Sequence, residues 1–258
     1  MRMIKMQVPI RDKKQHTPFQ VEWFDEVDST NTRLLEKIRT VPTVLAGTVL
    51  AARRQSAGRG RLDRKWLSAT SGNLLFSLFV RTGADPGQLP SLTMAMAIAI
   101  DEMLHTFHVQ SNLKWPNDIH VKGHKIAGLL AERAGEAGVV IGVGLNVNMT
   151  ANQLAGIDQP ATSLSRETGR DWLVEEVLAL LLTNHFPTWL DRWERKGFPG
   201  LRERWVSGCG GLNIPLAVRD GVSRIHGTLA GFGDGGELQL RLPDGAIQTI
   251  WAGDIERL

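Results

Sequence analysis

Apolar residues change their spacing several times along the chain, and each change marks an element. Val21-Glu-Trp-Phe-Asp25 alternates over a few residues and reads as a short strand. Ser29-Thr-Asn-Thr32 then offers hydroxyl and amide side chains to the orphan N–H groups of a first helical turn, so a helix is expected over 32–39. Residues 48–52 read as a buried strand, and 73–80 as another that is apolar on both faces, the mark of a strand central in a sheet. From 92 to 107, Met96, Ile100, Met103, Leu104 and Phe107 recur at helical spacing. Strand ends at 113–116 and 119–122 flank a turn, and a hairpin through Gly123-His124 leads into a strand over 126–133. Residues 139–148 form a further buried strand. A helical region covers 172–193, in two pieces because Pro187 should break or kink it.

The pattern shifts near Ser207-Gly-Cys-Gly-Gly211, a candidate domain junction. Beyond it lie short strand signals at 214–219, 223–230, 237–242 and 247–251. Asp220-Gly221, Gly233-Asp-Gly-Gly236 and Asp244-Gly245 separate them as hairpin turns. That segment reads as a small antiparallel barrel. Residues 1–20 are polar and are expected to form a mobile tail.

Composition changes the picture little. Of 258 residues, 42% are hydrophobic and 22% charged, as in ordinary globular proteins. The net charge of +3 is modest, and basic residues alternate with acids except in the tail and one loop. The single Cys209 excludes an intrachain disulfide, which suits a reducing compartment. There is no apolar run of the roughly 20 residues that a membrane span needs. The N-terminus lacks the apolar stretch of a secretory signal. A cytoplasmic protein without membrane contact is expected.

Three segments carry chemistry. Gln55-Ser-Ala-Gly-Arg-Gly-Arg-Leu-Asp-Arg64 combines Gly58 and Gly60, which allow backbone N–H groups to approach an anion, with guanidinium groups that fork onto phosphate or carboxylate oxygens. A solvated basic loop would use the same residues, and no Gly-Lys-Ser/Thr of a Walker loop occurs. Lys114-Trp-Pro-Asn-Asp118 and Lys125-Ile-Ala-Gly-Leu-Leu-Ala-Glu132 set polar groups among apolar strand residues. Taken singly, Asn117-Asp118 could cap a turn and Lys125 could reach solvent. Beside the arginine loop, they suggest a site for an anion. Ser29 and Thr30 can cap a helix and still bind a polar ligand. His105 with His108, or His120 with His124, lacks a carboxylate or cysteine framework, so no metal site is expected.

Read in order, Asp28-Ser-Thr-Asn31, Gly58-Arg-Gly-Arg61 with Arg64 and Trp66, Lys114-Trp-Pro-Asn-Asp118, Lys125-Ile-Ala-Gly-Leu-Leu-Ala-Glu132, Gly142-Val-Gly-Leu-Asn-Val-Asn148 and Ala161-Thr-Ser-Leu164 resemble the biotin protein ligases, or biotin–[acetyl-CoA-carboxylase] ligases. The resemblance spans Trp23 to the C-terminus. It implies an α+β fold: a catalytic domain over 21–207 with a mixed sheet flanked by helices, as in class II synthetases, then an SH3-like barrel over 208–258. Bifunctional relatives carry an N-terminal winged helix-turn-helix. Only about twenty residues precede the first matched strand here, so a ligase without operator binding is expected.

The implied reaction joins biotin to a lysine of a biotin carboxyl carrier protein through biotinyl-5′-AMP, with ATP as its Mg²⁺ complex. The resemblance places biotin against Ser29, Thr30, Asn31, Gln55, Arg59, Gly60, Arg61, Lys125 and Gly128. It places ATP or the adenylate against Gly58, Arg61, Arg64, Trp66, Asn117, Lys125 and Asn146. Lys125 would bridge carboxylate and α-phosphate, Arg61 would close the loop, and Asp118 would orient or deprotonate the acceptor lysine. Asp63 stands where the family pattern has glycine, and is expected to pair with Arg61 or Arg64 and alter rate or affinity rather than abolish activity. Pairing of two copies through a sheet edge is expected of such a family.

Two other readings make different predictions. Lipoate ligases and octanoyl transferases share the fold and an essential lysine, but the arginine loop together with Lys-Trp-Pro-Asn-Asp favours biotin. A nucleic-acid-binding module would need a basic, aromatic-studded barrel face, whereas acids interleave with the arginines of 214–258.

Overall fold

The computed structural model describes residues 4–8, 19–41, 43–61, 64–67, 71–220 and 223–257. An eight-stranded mixed sheet dominates: β1 (Ile4–Val8), β2 (Phe19–Phe24), β3 (Thr48–Ala52), β4 (Leu74–Val80), β5 (Asn112–Lys114), β6 (Asp118–Val121), β7 (His124–Arg133) and β8 (Val139–Leu145). Their order is β1-β2-β3-β4-β8-β7-β6-β5. β2 and β3 run parallel, and every other neighbouring pair is antiparallel. In the stretch expected as a tail, Ile4–Val8 pair with β2 as an edge strand; residues 1–3 and 9–18 lie outside the described residues.

Strand alternation sorts side chains onto two faces. On one, Leu74, Phe76, Leu78 and Val80 of β4 join the main core with Val49 and Ala51 of β3. Helix α2 (Pro90–Thr106) packs there against β7, β6 and β5. It is buried on nearly all sides because a second helical layer covers its back. On the other face, Phe79 and Leu50 meet Leu34 of α1 (Thr30–Thr40) in a smaller cluster. α1 covers only part of that face. Over β7 and β8 the outward positions are Gly128, Leu130, Gly142 and Gly144, with Gly128 paired to Gly144 and Leu130 to Gly142. The sheet is therefore left bare beside α1.

The second helical layer follows two short helices, α3 (Ala151–Leu154) and α4 (Leu164–Thr168). α5 (Val174–Leu180) continues through a π-helical turn, Leu181–His185, into α6 (Phe186–Lys196). The region is in two pieces as expected, but they join without a break at Pro187. The proline sits in the first turn of α6, where its missing N–H is tolerated, and the π turn absorbs the change of register. α7 (Arg202–Gly208), absent from the sequence reading, ends at the glycine-rich segment, where Gly210 and Gly211 adopt φ of 86° and 97°. Asp101 of α2, fully buried, is held by Arg204 of α7 and by Ser111 Oγ at 2.6 Å.

The C-terminal segment forms a five-stranded antiparallel sheet: β9 (Pro215–Asp220), β10 (Ser223–Phe232), β11 (Leu238–Arg241), β12 (Ile247–Ile250) and β13 (Asp254–Arg257), in the order β12-β11-β10-β9-β13. Its apolar face, with Leu216, Val218, Phe232, Leu238 and Leu240, merges into the main core. Phe232 meets Phe198 and Trp205 edge-on. Trp115 Nε1 donates to Gly236 O at 2.9 Å, tying the end of β5 to this sheet. Among the described residues, no helix is long and apolar enough to cross a membrane.

Candidate functional site

The bare strip over β7 and β8 floors a cavity of about 630 Å³. Its glycines are there because side chains from elsewhere come down onto the strands. A Cβ on Gly142 would lie 2.2 Å from Asn31 Oδ1, and one on Gly144 would lie 2.3 Å from Trp66 Cε2. A Cβ on Gly128 would meet both Trp66 and Lys125 Cε, at 2.9 and 3.0 Å. The ring of Trp66 thus lies on the glycine floor, with Lys125 Nζ 5.5 Å from its centroid.

One end of the cavity is neutral and polar. Ser29 caps α1 and turns the chain so that Thr30 and Asn31 face the sheet. Gln55 Oε1 accepts from Thr30 N at 2.7 Å and from Thr30 Oγ1 at 3.1 Å. Ser77 Oγ, on β4, donates within this group, 2.7 Å from Thr30 Oγ1 and 2.5 Å from Asn31 Oδ1. Asn31 Nδ2 donates to Glu132 Oε2 at 2.8 Å. These groups are buried and fixed by one another, which gives the end a set geometry.

The other end is charged. Lys125 Nζ stands 2.8 Å from Asp118 Oδ1, with both side chains less than a fifth exposed. The lysine lies where β7 begins, held by Lys125 N to Pro160 O at 2.8 Å and Thr162 N to Lys125 O at 3.0 Å. His120 Nε2 faces the other oxygen of Asp118 at 4.0 Å. Burial alone would raise the Asp118 carboxyl; His120 and the Lys125 ammonium outweigh it and hold the group below the ordinary aspartate range. Asn117 accepts from Arg61 at 3.3 Å and is fixed to Leu129 by its own amide and backbone. Asn146 leaves the end of β8 and donates from Nδ2 to Thr162 O at 3.0 Å. The Trp115–Pro116 peptide preceding Asn117 is cis.

The arginine loop crosses above. It folds on itself through Gly60 N to Arg64 O at 2.7 Å and Trp66 N to Gly58 O at 2.9 Å. Arg59 pairs with Glu132, and Arg64 pairs with Asp254 of β13. Burial lowers the Arg61 guanidinium from its usual value, while Asp254 and Asp118 oppose the shift. Arg64 moves the other way, raised by its hydrogen bond and charge contact with Asp254.

Of the site residues expected from sequence, Ser29, Thr30, Asn31, Gln55, Arg59, Gly60, Arg61, Arg64, Trp66, Asn117, Asp118, Lys125, Gly128 and Asn146 all line this cavity. Gly58 lines an adjoining one of about 880 Å³ on the far side of the loop. Asp63 lies outside the described residues; Arg61 donates to Asn117 and Arg64 to Asp254. The sequence reading assigned no site role to Ser77, Glu132, Gly142, Gly144 or Asp254. The Gly-Val-Gly in a strand-like run was the available signal for two of them, because glycine there marks a close approach. The others are distant in sequence from their partners.

This arrangement can hold a molecule with a neutral hydrogen-bonding head and an anionic tail, and can neutralise further negative charge beside that tail. A model of the Biotin/lipoate A/B protein ligase family matches residues 23–148. The biotin–[acetyl-CoA-carboxylase] ligase of Paracoccus denitrificans is 32% identical over 237 residues, covering 88% of this chain and 96% of that protein. The bifunctional ligase/repressor BirA of Escherichia coli strain K12 is 32% identical over 234 residues, covering 89% and 71%. Among solved structures, the biotin protein ligase of Aquifex aeolicus in complex with biotin and ATP is similar, with a TM-score of 0.74 and 31% identity, covering 92% of this chain and 99% of that one.

Proposed function

As the chain belongs to the biotin/lipoate A/B protein ligase family, we propose that it is an ATP-dependent ligase joining biotin to a lysine of a biotin carboxyl carrier protein through biotinyl-5′-AMP. The observation that carries this reading is one continuous cavity with a neutral polar end at Thr30 and Gln55 and a lysine–arginine end at Lys125 and Arg61. A ureido ring suits the first end. A carboxylate meeting an α-phosphate suits the second.

In the first step a biotin carboxylate oxygen attacks the α-phosphorus of MgATP, and pyrophosphate leaves. Two anions must come together, so cationic groups and positioning supply most of the catalysis. Lys125 reaches both partners from the start of β7, and Trp66 holds its stem against the floor. Arg61 and Arg64 take phosphate oxygens, with Asn117 setting the reach of Arg61. Asn146 and the backbone beyond β8 serve the nucleotide. Magnesium enters with the ATP as part of the substrate.

In the second step a neutral lysine amine of the acceptor attacks the acyl carbonyl, the bond from that carbon to the bridging oxygen breaks, AMP leaves with that oxygen, and the new amide nitrogen gives up one proton to solvent. Asp118 is the nearest carboxylate to Lys125 and orients the incoming amine. Its depressed value makes it a weak base, so orientation outweighs proton removal in its role. Exchange of labelled pyrophosphate into ATP, with biotin, lipoate or octanoate added in turn, tests the reading. Exchange with biotin alone is expected, followed by transfer to a carrier-protein lysine. Exchange driven by lipoate or octanoate, or by none, overturns it.

A further inference from the structure

Among the described residues lining the cavity, Asp254 is the one that comes from the C-terminal sheet. Its mounting is rigid. Gly253 precedes it at φ +146, and a Cβ there would strike Val218 Cγ1 at 2.7 Å and Arg219 O at 2.9 Å. β13 then pairs with β9, Asp254 opposite Arg219, and Ile255 is buried against the core. From this support the carboxylate reaches the arginine loop and binds Arg64 Nη2.

We propose that Asp254 is a positioning residue for the anion-handling loop: it pins Arg64, and with it residues 59–61 and 64–66, over the cavity before any phosphate arrives. The inference rests on the nucleotide use of this site proposed above. A guanidinium carries five N–H donors in a fixed fork. A contact at one nitrogen fixes its plane and leaves other donors for phosphate oxygens. Other anchors of the loop are on the main sheet and the turn beside it: Arg59 to Glu132, Trp66 to the glycine floor and Arg61 to Asn117. Asp254 adds an anchor on the opposite wall, so the loop is held from both sides. Asp254 also supplies the largest opposing charge for Arg61, which burial disfavours in its charged form.

The test compares Asp254→Asn, Asp254→Glu, Arg64→Ala and the Asp254→Asn/Arg64→Ala double variant in biotin-dependent pyrophosphate exchange. A parallel measurement follows trypsin cleavage of the ligand-free proteins after the basic residues of the loop. An exposed ion pair contributes modestly, so Asp254→Asn should raise KM for ATP about three- to five-fold with little change in kcat. The effect should shrink towards unity near 1 M salt, where the screening length is about 3 Å. Trypsin should cut the loop of Asp254→Asn faster than that of the wild type. Asp254→Glu should restore both properties, and the double variant should be no worse than Arg64→Ala. An unchanged or lowered KM with unchanged cleavage overturns the proposal, a lowered KM meaning that Asp254 competes with phosphate. Wild-type protein that fails to exchange overturns the ligase reading instead, and the cleavage comparison then still judges the latch.

Discussion

Gly144→Ala places a single methyl group where the site has no room. Its carbon would lie 2.3 Å from Trp66 Cε2, 2.5 Å from Cζ2 and 2.6 Å from Nε1. Non-bonded carbons settle at about 3.5–4.0 Å, so either strand or ring must retreat by roughly 1–1.5 Å. β8 is hydrogen-bonded between β4 and β7 along its length and cannot move. Trp66 stands on a half-buried loop and can. The cost to folding should therefore fall below the about 1–3 kcal/mol seen when rigid cores are overpacked. The cost to chemistry should be larger. Withdrawing the ring removes the surface against which Lys125 lies and lifts the arginine loop with it, and a misplacement of about 1 Å can lower rates by about 10²-fold. We expect kcat/KM for biotin-dependent exchange to fall by about 30- to 100-fold while the melting temperature stays near that of the wild type. Wild-type exchange in Gly144→Ala would mean that Trp66 does not rest on the floor during the reaction. A large loss of melting temperature with normal activity in the folded fraction would mean that the strand yields, and would equally defeat the argument.

Three further outcomes are expected. Lys125→Ala should slow adenylation by about a hundredfold or more, the scale set by loss of one charge-stabilising donor, and exchange within a few-fold of wild type would remove Lys125 from the first step. Arg204→Ala strips the buried Asp101 of its cation and should cost about 3–5 kcal/mol in denaturant unfolding while KM for ATP is unmoved; a loss under about 1 kcal/mol would show that Ser111 suffices to hold Asp101. Asp118 is held below the ordinary aspartate range, so its charged contacts favour the folded state above the unfolded value of about 3.9 and are lost as pH falls through the folded value. The stability difference between wild type and Asp118→Asn should thus be flat from neutral to mildly acidic pH and shrink in stronger acid. A difference that widens on acidification would contradict that direction.

Elements whose signal is local were legible in the sequence. Both faces of β4 are apolar, and it lies at the centre of the sheet; the apolar spacing after Leu92 is α2. β13 was missed because Asp254, Glu256 and Arg257 leave Ile255 as its sole apolar residue, so the strand exists through pairing with β9 rather than through its own pattern. α7 was missed because Trp205 alone anchors it deeply, too little for a period to show. Pro187 carried a true local signal whose consequence was settled elsewhere: the helix accommodated it by a π turn while Phe186, Trp189 and Leu190 kept their places in the core. The site divides the same way. The arginine loop and Lys125 announce anion chemistry by residue type. Ser77, Glu132 and Asp254 become site residues only when strand order and register bring them to Asn31, Arg59 and Arg64.

That division has an electrostatic reason. Cations gathered for an anionic substrate repel one another in its absence, and a cavity of limited exposure screens them poorly. Here the mutual repulsion is relieved by carboxylates from three separate elements. Lys125 rests on Asp118 of β6, Arg59 on Glu132 of β7, and Arg64 on Asp254 of β13. Arg61 meets the neutral Asn117 and is the loop arginine that burial disfavours in its charged form. Among the described residues no carboxylate forms an ion pair with Arg61, so on the proposed ligase reading an incoming phosphate gains most there. At the other positions it must share the cation or displace a carboxylate. On that reading Arg61 supplies attraction, and the paired cations hold a geometry already in place before a substrate arrives.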